Sequence, residues 1–188
     1  MGNKFYYKVQ ENPIIAAVNH PQKLDPAIQS PCEIVFLMAG NIFNLKGIVD
    51  RVKGEGMSIY IHIDLMEGFS KDVVALKYIH EMIGPDGIIT TKSNLIKITK
   101  ELNMFAIQRL FILDSLSLET GIKSIHSSKP DAVEILPGIM PKITQTIHQE
   151  TKIPVIAGGL IQDKEDVIES LKAGAMAIST SKEEIWFL

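Results

Sequence analysis

The sequence predicts a lean (β/α)8 barrel of the TIM type. Short β-branched runs alternate with helix-length amphipathic stretches from end to end, and eight such runs are present. The seventh ends in Gly158-Gly159 and the eighth in Ser179-Thr180-Ser181. Alternating strands and helices imply parallel pairing, because parallel strands need crossovers. Eight units favour closure, and an open doubly wound sheet is the alternative if one run is not a strand. A chain of 188 residues is short for a barrel, which typically takes ~250 residues, so the loops must be short.

Each element follows in order. The first strand is read at Ile14–Asn19 and the second at Glu33–Met38. The piece between them, Pro21–Pro31, is flanked by prolines and supports only a short helix. The third strand, Met57–Asp64, sets Ile59, Ile61 and Ile63 against Tyr60, His62 and Asp64 by period-two alternation. Further strands are read at Asp86–Thr90, Met104–Arg109, Asp131–Leu136, Pro154–Ala157 and Ala175–Thr180. Helices are read at Leu45–Lys53, Lys71–Ile83, Ser93–Leu102, Ser115–Ser127, Pro141–Glu150 and Lys164–Lys172, where apolar residues recur at helical spacing. A truncated last helix opens on Ser181-Lys-Glu-Glu184, which has the form of a capping box. It ends at Trp186-Phe187-Leu188, an apolar tail that packs beneath the barrel or meets a partner subunit. No linker or low-complexity stretch divides the chain, so residues 1–188 read as one barrel domain.

The bulk numbers exclude several classes. A net charge of −3 gives no global basic field to recruit nucleic acid or anionic membrane. A single cysteine, Cys32, forbids an intramolecular disulfide and fits a reducing cytoplasm. The start, Met1 to Tyr6, lacks the apolar core of a signal segment and the position-six hydroxyl of a myristoylation site. No apolar run is long enough to span a bilayer. The histidines show no close ligand spacing, so no metal site is expected, and no cofactor.

Strand periodicity then sorts the polar residues. If the isoleucines of the third strand face the helices, His62 and Asp64 point into the barrel. The same reading turns Gln108, Glu134 and Ser179 inward, leaves Thr90 at the end of the fourth strand, and puts Arg109 where the chain leaves the barrel. Barrel sites sit at this C-terminal rim, often with a phosphate held by the loops after strands seven and eight. Glycines admit anions close to backbone N–H groups. Gly158, Gly159, Thr180 and Ser181 are therefore read as phosphate-binding, with Gly138 adding a further N–H. Asp64 and Glu134 suit hydroxyl groups, and His62, Gln108 and Arg109 are read with them as ligand-binding, unless Arg109 merely pairs with Asp114 or Glu134. Lys92 is a ligand contact, unless Ser93 merely caps the helix that begins there. Asp64 likewise either meets ligand or caps the helix that follows. Together they describe a site for a small phosphorylated polyol.

The runs His62-Ile-Asp-Leu-Met-Glu-Gly68, Phe105 to Ser115 (FAIQRLFILDS), Glu134 to Pro141 (EILPGIMP) and Ile156-Ala-Gly-Gly-Leu-Ile161 resemble the glycerol-3-phosphate-responsive antiterminator family. The likeness spans Pro13 to about Trp186. It implies a TIM-like barrel that binds glycerol 3-phosphate and acts on leader mRNA, with no catalytic residue. The RNA role comes from this resemblance alone. No RRM, KH or OB motif is present, and Lys92, Lys97 and Lys100 read as a solvated helix face. Assembly into a homo-oligomer is left open. The rival readings are a barrel enzyme acting on a phosphorylated polyol, with His62, Asp64 and Glu134 as its acid/base or metal set, and a protein-binding module acting through the apolar tail.

Overall fold

The computed structural model describes residues 2–188, with side chains from Lys4 onward. Met1, with which the expected domain begins, lies outside the described residues. In chain order the elements are α1 (Gly2–Glu11), β1 (Ile14–Val18), α2 (Leu24–Gln29), β2 (Ile34–Leu37), α3 (Leu45–Gly54), β3 (Ser58–His62), α4 (Val73–Tyr78), β4 (Gly87–Thr90), α5 (Ser93–Glu101), β5 (Phe105–Phe111), α6 (Ser115–Ser128), β6 (Ala132–Leu136), α7 (Pro141–Thr151), β7 (Val155–Gly158), α8 (Lys164–Lys172), β8 (Ala175–Thr180) and α9 (Glu183–Trp186). The eight strands run parallel in sequence order and close into a barrel. Closure is made by β1 on β8, with Ile14 opposite Ile178 and Ala16 opposite Thr180.

Two apolar layers hold this ring. Ile15, Ile34, Phe36, Tyr60, Ile89, Phe105, Ile107, Ile156 and Ala177 fill the interior. The alternate residues, among them Val35, Ile59, Ile61 and Ile88, pack outward against the helices. The period-two pattern of the sequence is this division made physical.

The floor of the barrel is an element that the strand and helix reading missed. Helix α1 presents Phe5 and Val9, four residues apart, to the interior cluster. The Phe5 ring stacks on Phe105 with centroids 4.6 Å apart and meets Tyr60 edge-on at 5.3 Å. Tyr6 donates its hydroxyl hydrogen to the Asp131 carbonyl at 2.9 Å.

Two helix ends also differ from expectation. Helix α4 continues as a π-turn over Ile79–Ile83 and stops at Gly84 in the left-handed region, so the single helix expected over residues 71 to 83 is two windings. Helix α9 is capped by Lys182 without a side-chain bond, and the Ser181 capping box does not form. The helix begins one residue later than expected, with Lys182 as its N-cap, so Ser181 lies outside the cap and Glu184 falls at N2 rather than the N3 position a capping box needs. By contrast, the Asp114 carboxylate and Ser117 form a reciprocal cap at the start of α6. The tail also lies elsewhere than under the barrel. Trp186 is fully buried on the outer side of the β8–β1 seam, near α2. Its indole N–H donates to the Thr180 carbonyl at 2.8 Å. Phe187 and Leu188 remain exposed.

Candidate functional site

A cavity of about 590 Å³ opens at the C-terminal ends of the strands, on the β7, β8 and β1 side. Its wall is built from strand ends and the loops that follow them. Asn19 ends the inward-facing row Ile15, Ala17, Asn19, and Met38 ends the row Ile34, Phe36, Met38. Arg109, Glu134, Gly159, Ser179 and Ser181 line the same space.

At its base, Arg109 Nε donates to Glu134 Oε2 at 2.7 Å. Both side chains are almost completely buried. Arg109 Nη2 also lies 3.3 Å from Met38 Sδ. A buried pair of this kind is costly to break, because the remaining charge is left without its partner. Gly158 makes room for it: a Cβ there would lie 2.8 Å from Glu134 Oε1. Of the two partners foreseen for Arg109, Glu134 is the one it has. Asp114 instead caps α6.

The neighbouring wall is rich in donors. Gly159 and Leu160 take successive positive φ angles of 73° and 61° after β7. Leucine is rarely held in that region, so the turn is constrained by its surroundings. Among the described residues, the backbone N–H groups of Leu160, Ile161 and Ser181 have no hydrogen-bond acceptor. Lys23 Nζ donates to the Ser181 carbonyl at 2.7 Å, and Lys182 Nζ to the Gln162 carbonyl at 2.7 Å. Both lysines therefore stand over the same loops. Glu183 and Glu184 also line the cavity, so formal charges there are balanced, three basic against three acidic. An anion would be favoured by local N–H groups and lysines rather than by a net field.

Several expectations need correction or refinement. Gln108 faces outward, where its amide donates to Ser124 at 2.7 Å and accepts from Ser128 at 2.6 Å. Arg109, the next residue, takes the inward direction because alternation runs Phe105, Ile107, Arg109. The Gly138 N–H is already used by the Gly159 carbonyl at 3.0 Å, and a Cβ there would meet Gly158 N at 2.7 Å. Gly138 thus lets two loops touch. Thr180 donates to the Ile161 carbonyl at 3.4 Å and accepts from Lys182 N at 3.2 Å, bracing the loops after β7 and β8 against each other.

Asp64 neither enters the barrel nor caps the next helix. The chain turns after His62 into a short 3-10 segment. There the carboxylate accepts from Thr90 Oγ1 at 3.0 Å, Thr91 N at 2.8 Å and Thr91 Oγ1 at 3.2 Å. This locks the ends of β3 and β4 together. The helix it was expected to cap begins later, and Asp72 caps it. Lys92 is the residue before α5, exposed and away from the cavity. Ser93 is the first helical residue, and no side chain caps that end.

His62 does point inward and is buried. Its Nδ1 has no hydrogen-bond partner among the described residues and lies 3.9 Å from Asp64 Oδ2. Burial first, and then the nearby Arg109 charge, pull its pKa down to about 4, against a smaller opposing pull from Asp64. The imidazole is therefore neutral at neutral pH.

Asn19, Lys23, Met38 and Lys182 were not singled out from sequence. Alternation alone would have found Asn19 and Met38. Nothing local marks Lys23, which reaches the site from a 3-10 turn after β1.

By fold and site, the molecule is a TIM-like barrel with a small polar cavity at its C-terminal mouth. A family model, the glycerol-3-phosphate responsive antiterminator, matches residues 14–186. The chain is 35% identical to the glycerol uptake operon antiterminator regulatory protein of Listeria monocytogenes str. 4b F2365, with a TM-score of 0.90 over 93% of this chain and 95% of that one. A glycerol uptake operon antiterminator-related protein of Thermotoga maritima MSB8 is 33% identical, with a TM-score of 0.83 over 92% and 96%. The Escherichia coli (strain K12) uncharacterized protein YgcP is 39% identical over 180 residues, 96% of this chain and 94% of that protein. The chain belongs to the glycerol-3-phosphate responsive antiterminator family. No helix among the described residues is long and apolar enough to cross a membrane.

Proposed function

We propose that this chain binds glycerol 3-phosphate in the mouth of the barrel and, so loaded, acts in the cytoplasm on leader mRNA to carry transcription past a terminator. One observation supports the ligand most directly. Three unpaired backbone N–H groups, at Leu160, Ile161 and Ser181, lie beside the buried Arg109–Glu134 pair in one small cavity. The N–H groups and Lys23 suit phosphate oxygens. Arg109 donates to, and the free oxygen of Glu134 accepts from, the hydroxyl groups of the glycerol part. Gly158 contributes by leaving space for Glu134. His62 packs behind Arg109 as a neutral group.

Regulation requires that the ligand prefer the RNA-competent state, since equal affinity for both states shifts nothing. Filling the mouth draws together the loops after β7 and β8, and Thr180 connects those loops to Trp186 and α9. An acid/base reading of the same mouth finds Asp64 committed to Thr90 and Thr91 and Glu134 held by Arg109.

The test is calorimetric titration of wild type and Glu134→Gln with glycerol 3-phosphate and with inorganic phosphate. The variant is expected to lose about tenfold or more in affinity for glycerol 3-phosphate, as for a hydrogen bond to a charged group, and to bind phosphate nearly as before. Equal losses for both ligands remove Glu134 from polyol recognition. Transcription through the leader terminator in vitro, with and without glycerol 3-phosphate, tests the RNA step.

A further inference from the structure

Ser179 is 2% exposed and lines the cavity. The side-chain bonds around it run through Ser170, Thr180 and Lys182, and among the described residues none engages its Oγ. A buried hydroxyl ordinarily has a partner, so this one points to a group that the mouth receives.

The neighbours of Ser179 say which group. Ser179 pairs in register with Gly158 of β7, and such residues point to the same face of the sheet. The inward place beside Ser179 is therefore empty of side chain. Glu134 borders that place, since a Cβ on Gly158 would lie 2.8 Å from Oε1. Arg109 Nε takes the other oxygen, Oε2, at 2.7 Å, so Oε1 is left free. A hydroxyl and a carboxylate oxygen thus flank one glycine gap. Neighbouring strands lie ~4.8 Å apart, and two O–H···O bonds through a single oxygen span about 5.4 Å. One ligand oxygen bridges a gap of that size. It must accept from Ser179 and donate to Glu134. An alcohol does both, whereas a ketone only accepts and sets its lone pairs against the carboxylate.

The gap also has a place along the ligand. With phosphate at the loops after β7 and β8, the carbon chain runs toward β6 and β5. It passes Gly158 and Ser179 before it reaches Arg109. The hydroxyl nearer the phosphate, on C2, is the one met there.

We propose that Ser179 and Glu134 Oε1 form a hydroxyl subsite across Gly158, which reads the C2 oxygen of glycerol 3-phosphate as an alcohol and rejects the 2-keto compound, dihydroxyacetone phosphate. This rests on the ligand reading above and adds to it a choice between the reduced and the oxidised form of one three-carbon phosphate.

Calorimetric titration tests this with glycerol 3-phosphate, dihydroxyacetone phosphate and propane-1,3-diol monophosphate, which lacks the C2 oxygen. Wild type is expected to bind the keto compound about tenfold or more weakly than the alcohol, as for an acceptor left unpaired beside a charge. Ser179→Ala should weaken glycerol 3-phosphate by about three- to tenfold, the scale of one hydrogen bond, and leave the C2-deoxy probe unchanged. Glu134→Gln should narrow the preference for alcohol over ketone, because its amide N–H serves a carbonyl. Circular dichroism checks that each variant stays folded. Equal binding of alcohol and ketone by wild type overturns the subsite and leaves the ligand reading standing. So does a Ser179→Ala loss that is the same with and without the C2 oxygen, or no loss at all. A wild type that binds none of the three phosphates overturns the ligand reading and the subsite together.

Discussion

Gly158 and Gly138 both lie where a side chain would clash, but with different neighbours. At Gly158 a Cβ meets the Glu134 carboxylate at 2.8 Å, the tip of a side chain that Arg109 holds in place. At Gly138 it meets the backbone at Gly158 N and Ala157 C, 2.7 and 2.9 Å away, which cannot yield without moving the barrel. Gly138→Ala should therefore lower stability by about 1–3 kcal/mol, as overpacking does, read by urea denaturation. Gly158→Ala should cost less stability and more ligand affinity, because it displaces the carboxylate. The reverse ranking in denaturation and titration would contradict this division of roles. His62 adds a pH dependence. Its folded pKa, about 4, lies below the ordinary value of about 6.5. Between these values the unfolded chain binds more protons, so stability rises with pH there. Its contribution is fully present above about pH 6.5 and is lost as pH falls toward about 4, by up to ~1.4 kcal/mol per pH unit. Denaturation midpoints at about pH 7 and about pH 5 should differ less in His62→Gln than in wild type. An unchanged difference would mean that His62 titrates normally.

At the level of elements, the two ends of the chain seal the barrel in different ways. Helix α1 closes the floor through Phe5, which is fully buried against Phe105 and Tyr60. Phe5→Ala should destabilise by about 3–5 kcal/mol, as large-to-small changes at buried aromatics do, without altering affinity at the opposite mouth. A comparable loss of affinity would show that floor and mouth are coupled. Helix α9 seals the β8–β1 seam through Trp186, whose indole is bonded to the carbonyl of Thr180, one residue from Ser181. Because the chain has one tryptophan, its fluorescence should shift when glycerol 3-phosphate fills the site. A silent tryptophan at saturating ligand would cut α9 out of the response. The strands were legible because buried β-branched runs and period-two alternation are local signals. The helix ends were less so. Whether Ser181 caps α9 depends on the residue at which that helix starts, which is one later than expected, and whether α1 forms depends on Phe105 and Tyr60 being there to receive Phe5.

Across the whole molecule, closure of eight parallel strands followed from the order of runs, and the family from motifs spread along the chain. The loops after β7 and β8, which line the cavity, were also visible, in Gly158-Gly159 and Ser179-Thr180-Ser181. What sequence could not fix was direction at the strand ends. Gln108 and Arg109 are adjacent, and a shift of one residue exchanges which enters the mouth. Asp64 left the barrel because the chain turns after His62, and Lys23 arrives from a loop with no periodicity to read. The central claim is that this mouth holds glycerol 3-phosphate. It is tested most directly by thermal unfolding with that ligand, with glycerol and inorganic phosphate as controls. At about 100 times Kd a ligand adds ~2.7 kcal/mol to stability, a Tm rise of roughly 5–11 °C for a chain of this size. A rise of that order for glycerol 3-phosphate, and little for either control, is the predicted result. No shift at millimolar glycerol 3-phosphate would contradict the claim.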